Sequence, residues 1–142
     1  MNDWNVIWSA DLDGRIACAS NCQGGLLVSS DLSLSRFDMD GGLVWKVETP
    51  FRIHHIVTQG SMVGVLAAHG FIPYDLQTGQ QIHEGRATYG GFSDILPRPG
   101  GGWVASGRKG DLHIFNQNGK GLRRCTLNQF DVYSVGWTVS IY

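Results

Sequence analysis

The chain has 142 residues, 42% hydrophobic and 16% charged, with 20 glycines and a formal net charge of −1. That length fits one domain with a substantial core, and the scarcity of charge with so much glycine favours short strands and tight turns over charged amphipathic helices. Near-neutral charge gives no electrostatic basis for binding nucleic acid or an anionic membrane, and no apolar run reaches the roughly 18 residues of a membrane-spanning helix.

From the N-terminus, Trp4 to Ile16 reads as strand, turn and strand, the turn being Asp11-Leu-Asp-Gly14. A first unit follows, with something short around 16–20 and clear strands over 26–30, 33–37 and 43–48. The step from Gly14 to Leu26 is 12 residues, against 21 from Gly41 to Met62 and 24 from Gly79 to Trp103, so this unit is expected to lack a strand. A second unit has strands over 51–57, 62–68, 71–75 and 80–84, and a third over 92–96, 103–107, 111–115 and 121–126. The last stretch, Phe130 to Tyr142, resembles the first half of a unit, with Phe130 in the place of Phe51 and Phe92. No segment holds a helical period of about 3.6 residues, so essentially no helix is expected.

Four turns mark the repeat: Asp11 to Gly14, Asp38-Met-Asp-Gly41, Asp75-Leu-Gln-Thr-Gly79 and Asn116-Gln-Asn-Gly119. Asp and Asn side chains bond their own backbone and glycine takes positive φ, so each closes a hairpin after an apolar residue, Ala10, Phe37, Tyr74 or Phe115. A second register agrees. Phe51 to Met62 and Phe92 to Trp103 are both 11 residues, while Met62 to Tyr74 and Trp103 to Phe115 are both 12. Recurrence at this period predicts an all-β, β-propeller-like array of four-stranded antiparallel blades in one domain over residues 1–142. There would be about four blade equivalents, one of them split between the termini. An oligomer that completes a larger ring, or further chain beyond this sequence, are the alternatives.

Phe37-Asp-Met-Asp-Gly-Gly-Leu-Val-Trp45 and Tyr74-Asp-Leu-Gln-Thr-Gly-Gln-Gln-Ile82 resemble the PQQ-like (quinoprotein-type) β-propeller repeat. That repeat has an apolar residue, Asp, a turn ending in Gly, then a strand often carrying Trp. The resemblance implies radial four-stranded sheets packed face to face, a scaffold on which many members bind other proteins. It does not carry quinone chemistry here. The calcium-binding acidic cluster and stacking tryptophan of the enzymes have no matching positions, so no catalytic, cofactor-binding or metal-binding residue is assigned.

The residues themselves support that restraint. The turn acids Asp11, Asp13, Asp38 and Asp40 are accounted for as hairpin closers. Cys18, Cys22 and Cys125 form an odd set without a CxxC pair, more in keeping with core residues than zinc ligands. His54 and His55 are adjacent, so on a strand at most one enters any site. Pro99-Gly-Gly-Gly102 lacks the Lys-Ser/Thr of a phosphate loop. The odd cysteine set, and an N-terminus Met-Asn-Asp-Trp without a basic region and apolar run, suggest a cytoplasmic protein, a secreted or periplasmic parent being the alternative if the chain is a fragment.

Aromatics carry the remaining signal. Most of Trp4, Trp8, Trp45, Trp103 and Trp137 should pack between blades, and those at loop tips should contact a partner. Trp4, with Tyr89 and Phe92 of Tyr89-Gly-Gly-Phe92, is the candidate contact set. The expected function is non-enzymatic protein–protein binding or scaffolding through blade loops, with homo-oligomerisation possible. A carbohydrate-binding lectin is the alternative, favoured if Phe51 and Phe92 face solvent. A fragment of a quinoprotein-type enzyme is the third.

Overall fold

The computed structural model describes residues 5–88 and 90–126, and every regular element in them is a strand. The first blade holds β1 (Ile16–Cys22), β2 (Gly25–Ser30), β3 (Ser33–Asp38) and β4 (Leu43–Glu48). The second holds β5 (His55–Gln59), β6 (Met62–Leu66), β7 (Gly70–Asp75) and β8 (Arg86–Ala87), and the third β9 (Phe92–Pro97), β10 (Trp103–Gly107), β11 (Asp111–Phe115) and β12 (Gly121–Thr126). Each blade is a four-stranded antiparallel sheet whose strands pair in sequence order. The inner strand β5 lies between β1 and β9. This is the blade array expected from the repeat.

The turn chemistry follows the sequence closely. Asp38 Oδ1 accepts from the backbone N–H groups of Asp40 and Gly42, at 2.9 and 2.8 Å. Asp75 Oδ1 does the same for Gln77 and Thr78, and Asn116 Oδ1 for Asn118 and Lys120. These bonds satisfy donors that the turn takes out of the ladder. The aromatic before each turn is paired across to the next-inner strand: Phe37 with Leu26, Tyr74 with Val63 and Phe115 with Trp103. That pairing accounts for the 12-residue step from Trp103 to Phe115, whereas Met62 pairs with Asp75 and Phe92 with Gly107.

Period-2 alternation sends one set of side chains to each neighbouring blade. Leu27, Leu34, Val63, Val65, Ile72 and Tyr74 form the core between blades 1 and 2, with Cys18, Cys22 and Trp45 packed against it. Phe71, Phe92, Ile95, Trp103, Ala105 and Phe115 fill the space between blades 2 and 3. Phe71 touches both Trp103 and Phe115, with ring centroids 5.5 and 4.3 Å apart. Gly64 leaves room for this cluster, since a Cβ there would lie 2.8 Å from Trp103 Nε1.

Three expectations are corrected. Blade 1 does not lack a strand, because β1 spans seven residues; its small polar residues, Ala-Cys-Ala-Ser-Asn, gave no apolar alternation to read. Residues 5–10 join no ladder among the described residues, and the turn after them forms with Gly14 at φ 89°. The second unit opens as a strand only at His55, because Phe51 tucks against Gly70 and Ile53 is buried, drawing the backbone out of the sheet. Its fourth strand is reduced to β8 and a single bridge between Tyr74 and Gln81. Pro73 accepts from Ile82 N–H on that side but has no N–H to return. The stretch 130–142, which would supply the rest of a split blade, lies outside the described residues.

Candidate interaction face

Loops at one end of the blades, here called the upper end, form the candidate site. The β2–β3, β6–β7 and β10–β11 turns lie there, as do the connections from β4 to β5 and from β8 to β9. The register fixes this placement: Glu48 pairs with Ser33, His55 with Leu66, Ala87 with Gly70 and Phe92 with Gly107. Backbone bonds tie these loops to one another. Thr49 N–H donates to Leu32 O, His54 N–H to Leu66 O, Phe92 N–H to Ala68 O and Arg108 N–H to Gly91 O, at 2.8, 2.7, 2.6 and 3.0 Å. Loops held this way make a firm platform.

Four clefts open on this end. The largest, about 670 Å³, lies between the 50–54 connection and blade 2, with Phe51, Ala67, Ala68, Phe71, Ile72 and Ala87 among its walls. It exists because β8 is only two residues long, so the outer edge of blade 2 is thin there. A cleft of about 260 Å³ is bounded by Arg15, Asp31, Arg52 and His54, and one of about 200 Å³ by His54, His55, Ser93 and Arg108. His54 lines all three. The fourth, about 410 Å³, is on blade 1 beside Asp13, Lys46 and Glu48.

The charged rim is mostly exposed. Arg52 Nη2 lies 3.7 Å from Asp31 Oδ1 and Lys46 Nζ 3.6 Å from Asp13 Oδ2, both at the surface, where solvent screening leaves such pairs little net strength. Arg108 and Lys109 are exposed on the β10–β11 turn. Adjacency misleads for His54 and His55. His54 precedes the strand and His55 begins it, so both line the same small cleft.

A buried Asp111–His113 pair lies between blades 2 and 3, with the exposed Arg124 beside it. Asp111 Oδ2 accepts from His113 Nε2 at 2.9 Å and Arg124 Nε at 2.7 Å. Burial alone would raise the Asp111 carboxyl, but the bonds and charges of His113 and Arg124 outweigh it and hold it below its usual 3.8. Burial pushes His113 below its ordinary 6.5, opposed in part by Asp111 and reinforced by Arg86 and Arg124. Gly107 makes room for the Asp111 carboxylate. Loose alternation in β11 had hidden this pair: Asp111, His113 and Phe115 are the buried set.

Of the expected contact residues, Trp4 and Tyr89 lie outside the described residues. Phe92 is corrected: it is 2% exposed and meets His113 edge-on at 5.0 Å, so it belongs to the interblade core. Phe51 is half-buried against the core between blades 1 and 2. Cys18 faces that core too, its Sγ 3.1 Å from Ser29 Oγ, and burial raises its thiol above the ordinary value. Arg52 and Ala68 carried no motif in the sequence, and His54 stood there only as half of an adjacent pair. Their one available signal was position, since the repeat already placed them in loops at one end.

No protein-family model matches the sequence, and no curated protein matches it. Solved structures do. The computationally designed Ika4 protein is similar at TM-score 0.75 and 13% identity, over 91% of this chain and 83% of Ika4. The WD40 repeats of RRP9 give 0.74 at 9% identity over 86% of this chain, and BamB from Moraxella catarrhalis 0.72 at 16% over 84%. This chain spans only 42% and 39% of those two. At such identities the likeness concerns the fold, and the fold is that of β-propeller blades.

Proposed function

We propose that this chain is a non-enzymatic propeller module that binds a protein partner through the loops of its upper face. One observation carries the reading: four clefts among the described residues open at that end, on loops tied together by backbone bonds. The similarity to WD40 repeats supports an interaction scaffold. Burial of Phe92 and half-burial of Phe51 count against a lectin, which would need such repeat-equivalent aromatics as open platforms.

We propose further that the blades are PQQ-like repeats. A PQQ-like repeat is supported by the turns closed by Asp38 and Asp75, with Trp45 on the strand after the first packed against Gly79 of the second. We read residues 1–142 as one domain in which 5–10 are the outer strand of a further blade. The free cysteines Cys18, Cys22 and Cys125 agree with a reducing, cytoplasmic setting.

The test is affinity purification of the tagged chain from its native cells, with two matched variants. Arg108→Glu with Lys109→Glu alters the upper face, and Asp40→Lys with Asn118→Lys the opposite one. The reading expects a protein that co-purifies with wild type and the lower variant and is depleted from the upper one. Loss only from the lower variant overturns it.

A further inference from the structure

We infer that the upper face accepts an acidic segment of its partner, with one apolar side chain of that segment seated in the groove beside Phe51. This rests on the protein-binding reading above and specifies the chemistry of the partner.

Shape comes first. The groove of about 670 Å³ has an apolar floor of Phe51, Phe71, Ile72 and Ala87, and runs between the 50–54 connection and the thinned edge of blade 2. That volume admits a leucine- or phenylalanine-sized group with room for flanking backbone. Ala68 lies on its inner wall and also borders the 200 Å³ cleft, so a bound segment passes from one to the other without leaving the surface.

Charge chooses the segment. Arg15, Arg52, Arg86 and Arg108 line the three clefts that meet at His54, with His55 and His69 as further polar groups. The acids lining the same clefts are Asp31, already beside Arg52, and Glu84. A chain of net charge −1 therefore presents a locally basic rim around an apolar slot. Acidic residues flanking one large apolar residue complement that pattern, and reversed charges would repel. A nucleic acid fits less well, because the described residues of the slot offer only half-buried Phe51 for base stacking, and its four arginines are too few for a phosphate track.

Fluorescence anisotropy tests this with labelled peptides of about a dozen residues. One alternates Glu with Leu, one replaces Leu by Ser, and one replaces Glu by Lys; an oligothymidylate is the fourth probe. The Glu/Leu peptide is expected to bind best and to weaken as salt rises. Arg52→Glu with Arg108→Glu should weaken it about tenfold or more, since both side chains are exposed and face the rim. Ala87→Trp, which fills the groove, should weaken it as well, and melting temperatures confirm that each variant folds. Absence of Glu/Leu binding, equal binding by both variants, or preference for the Lys peptide or the oligonucleotide overturns the inference. If the Glu/Leu peptide fails while a co-purifying protein still depends on Arg108 and Lys109, protein binding stands and this inference alone falls. If capture depends on the lower face instead, both fall.

Discussion

Trp45 Nε1 donates to the carbonyl oxygen of Leu76 at 2.8 Å, a bond from the outer strand of blade 1 into the turn of blade 2. Arg36 Nη1 donates to the same oxygen at 2.9 Å, and the Trp45 ring lies over Gly79. One carbonyl thus takes two donors from the neighbouring blade, and a glycine supplies the flat surface on which the indole rests.

Gly79 is the first point of weakness. It sits at φ 74°, and a Cβ there would come within 2.7 Å of the Trp45 ring. Gly79→Ala should cost about 2–4 kcal/mol, combining left-handed strain with overpacking. Gly60, at φ 58° with nothing near its missing Cβ, should cost about 1 kcal/mol as alanine, from strain alone. Chemical denaturation of both variants checks the difference; equal losses would mean that the indole contact adds nothing.

Trp45→Phe keeps most of the apolar volume and removes one donor. Leu76 O retains Arg36, so the loss should be about 1 kcal/mol. In Arg36→Met, where only Trp45 remains on that oxygen, Trp45→Phe should cost more. A double-mutant cycle by urea unfolding measures the coupling, and strict additivity would contradict the shared-acceptor account.

Trp8 repeats the arrangement one blade earlier. It stacks on Phe37 with centroids 5.8 Å apart, and a Cβ on Gly41 would lie 2.7 Å from its ring, as for Trp45 and Gly79. Val6 and Ile7 beside it are 83% and 90% exposed, an arrangement suited to an outer strand that awaits its neighbours. Deleting residues 1–16 should lower the melting temperature or shift the solution mass from the 15.6 kDa expected of a self-closed monomer. Light scattering and a thermal melt measure both; no change in either would refute the further blade.

The buried pair sets a pH dependence. His113 has a folded pKa below 6.5, so as pH falls past 6.5 the unfolded chain takes up a proton that the folded one does not. Stability should therefore drop on acidification from about pH 7.5 to about pH 5.5, and His113→Gln should flatten that slope. Asp111 acts lower: its depressed pKa stabilises the fold above 3.8, and that contribution is lost as pH falls through the folded value. Denaturant midpoints across this range are the readout, and a slope unchanged in His113→Gln would contradict the assignment.

Turns and central strands were legible in the sequence because they are local. Asp38, Asp75 and Asn116 each close a turn with atoms a few residues away, and the aromatic before each marks the register. What was not legible depends on contacts far along the chain. Phe51 leaves the sheet to meet Gly70, and β8 fails opposite Pro73; together these open the groove. Phe92 looked like a loop tip beside two glycines, yet its place is fixed by His113 from a later strand. The site was therefore hidden not by residue type but by the irregularity of one blade.

The most direct test of the functional account is site-specific photo-crosslinking in native cells, with the reactive side chain placed at Ala68 on the upper end or Asn118 on the lower. Ala68 borders two of the upper clefts, and Asn118 is exposed in the β11–β12 turn. The account predicts a discrete protein adduct from Ala68 and none from Asn118. An adduct from Asn118 with none from Ala68 would contradict it.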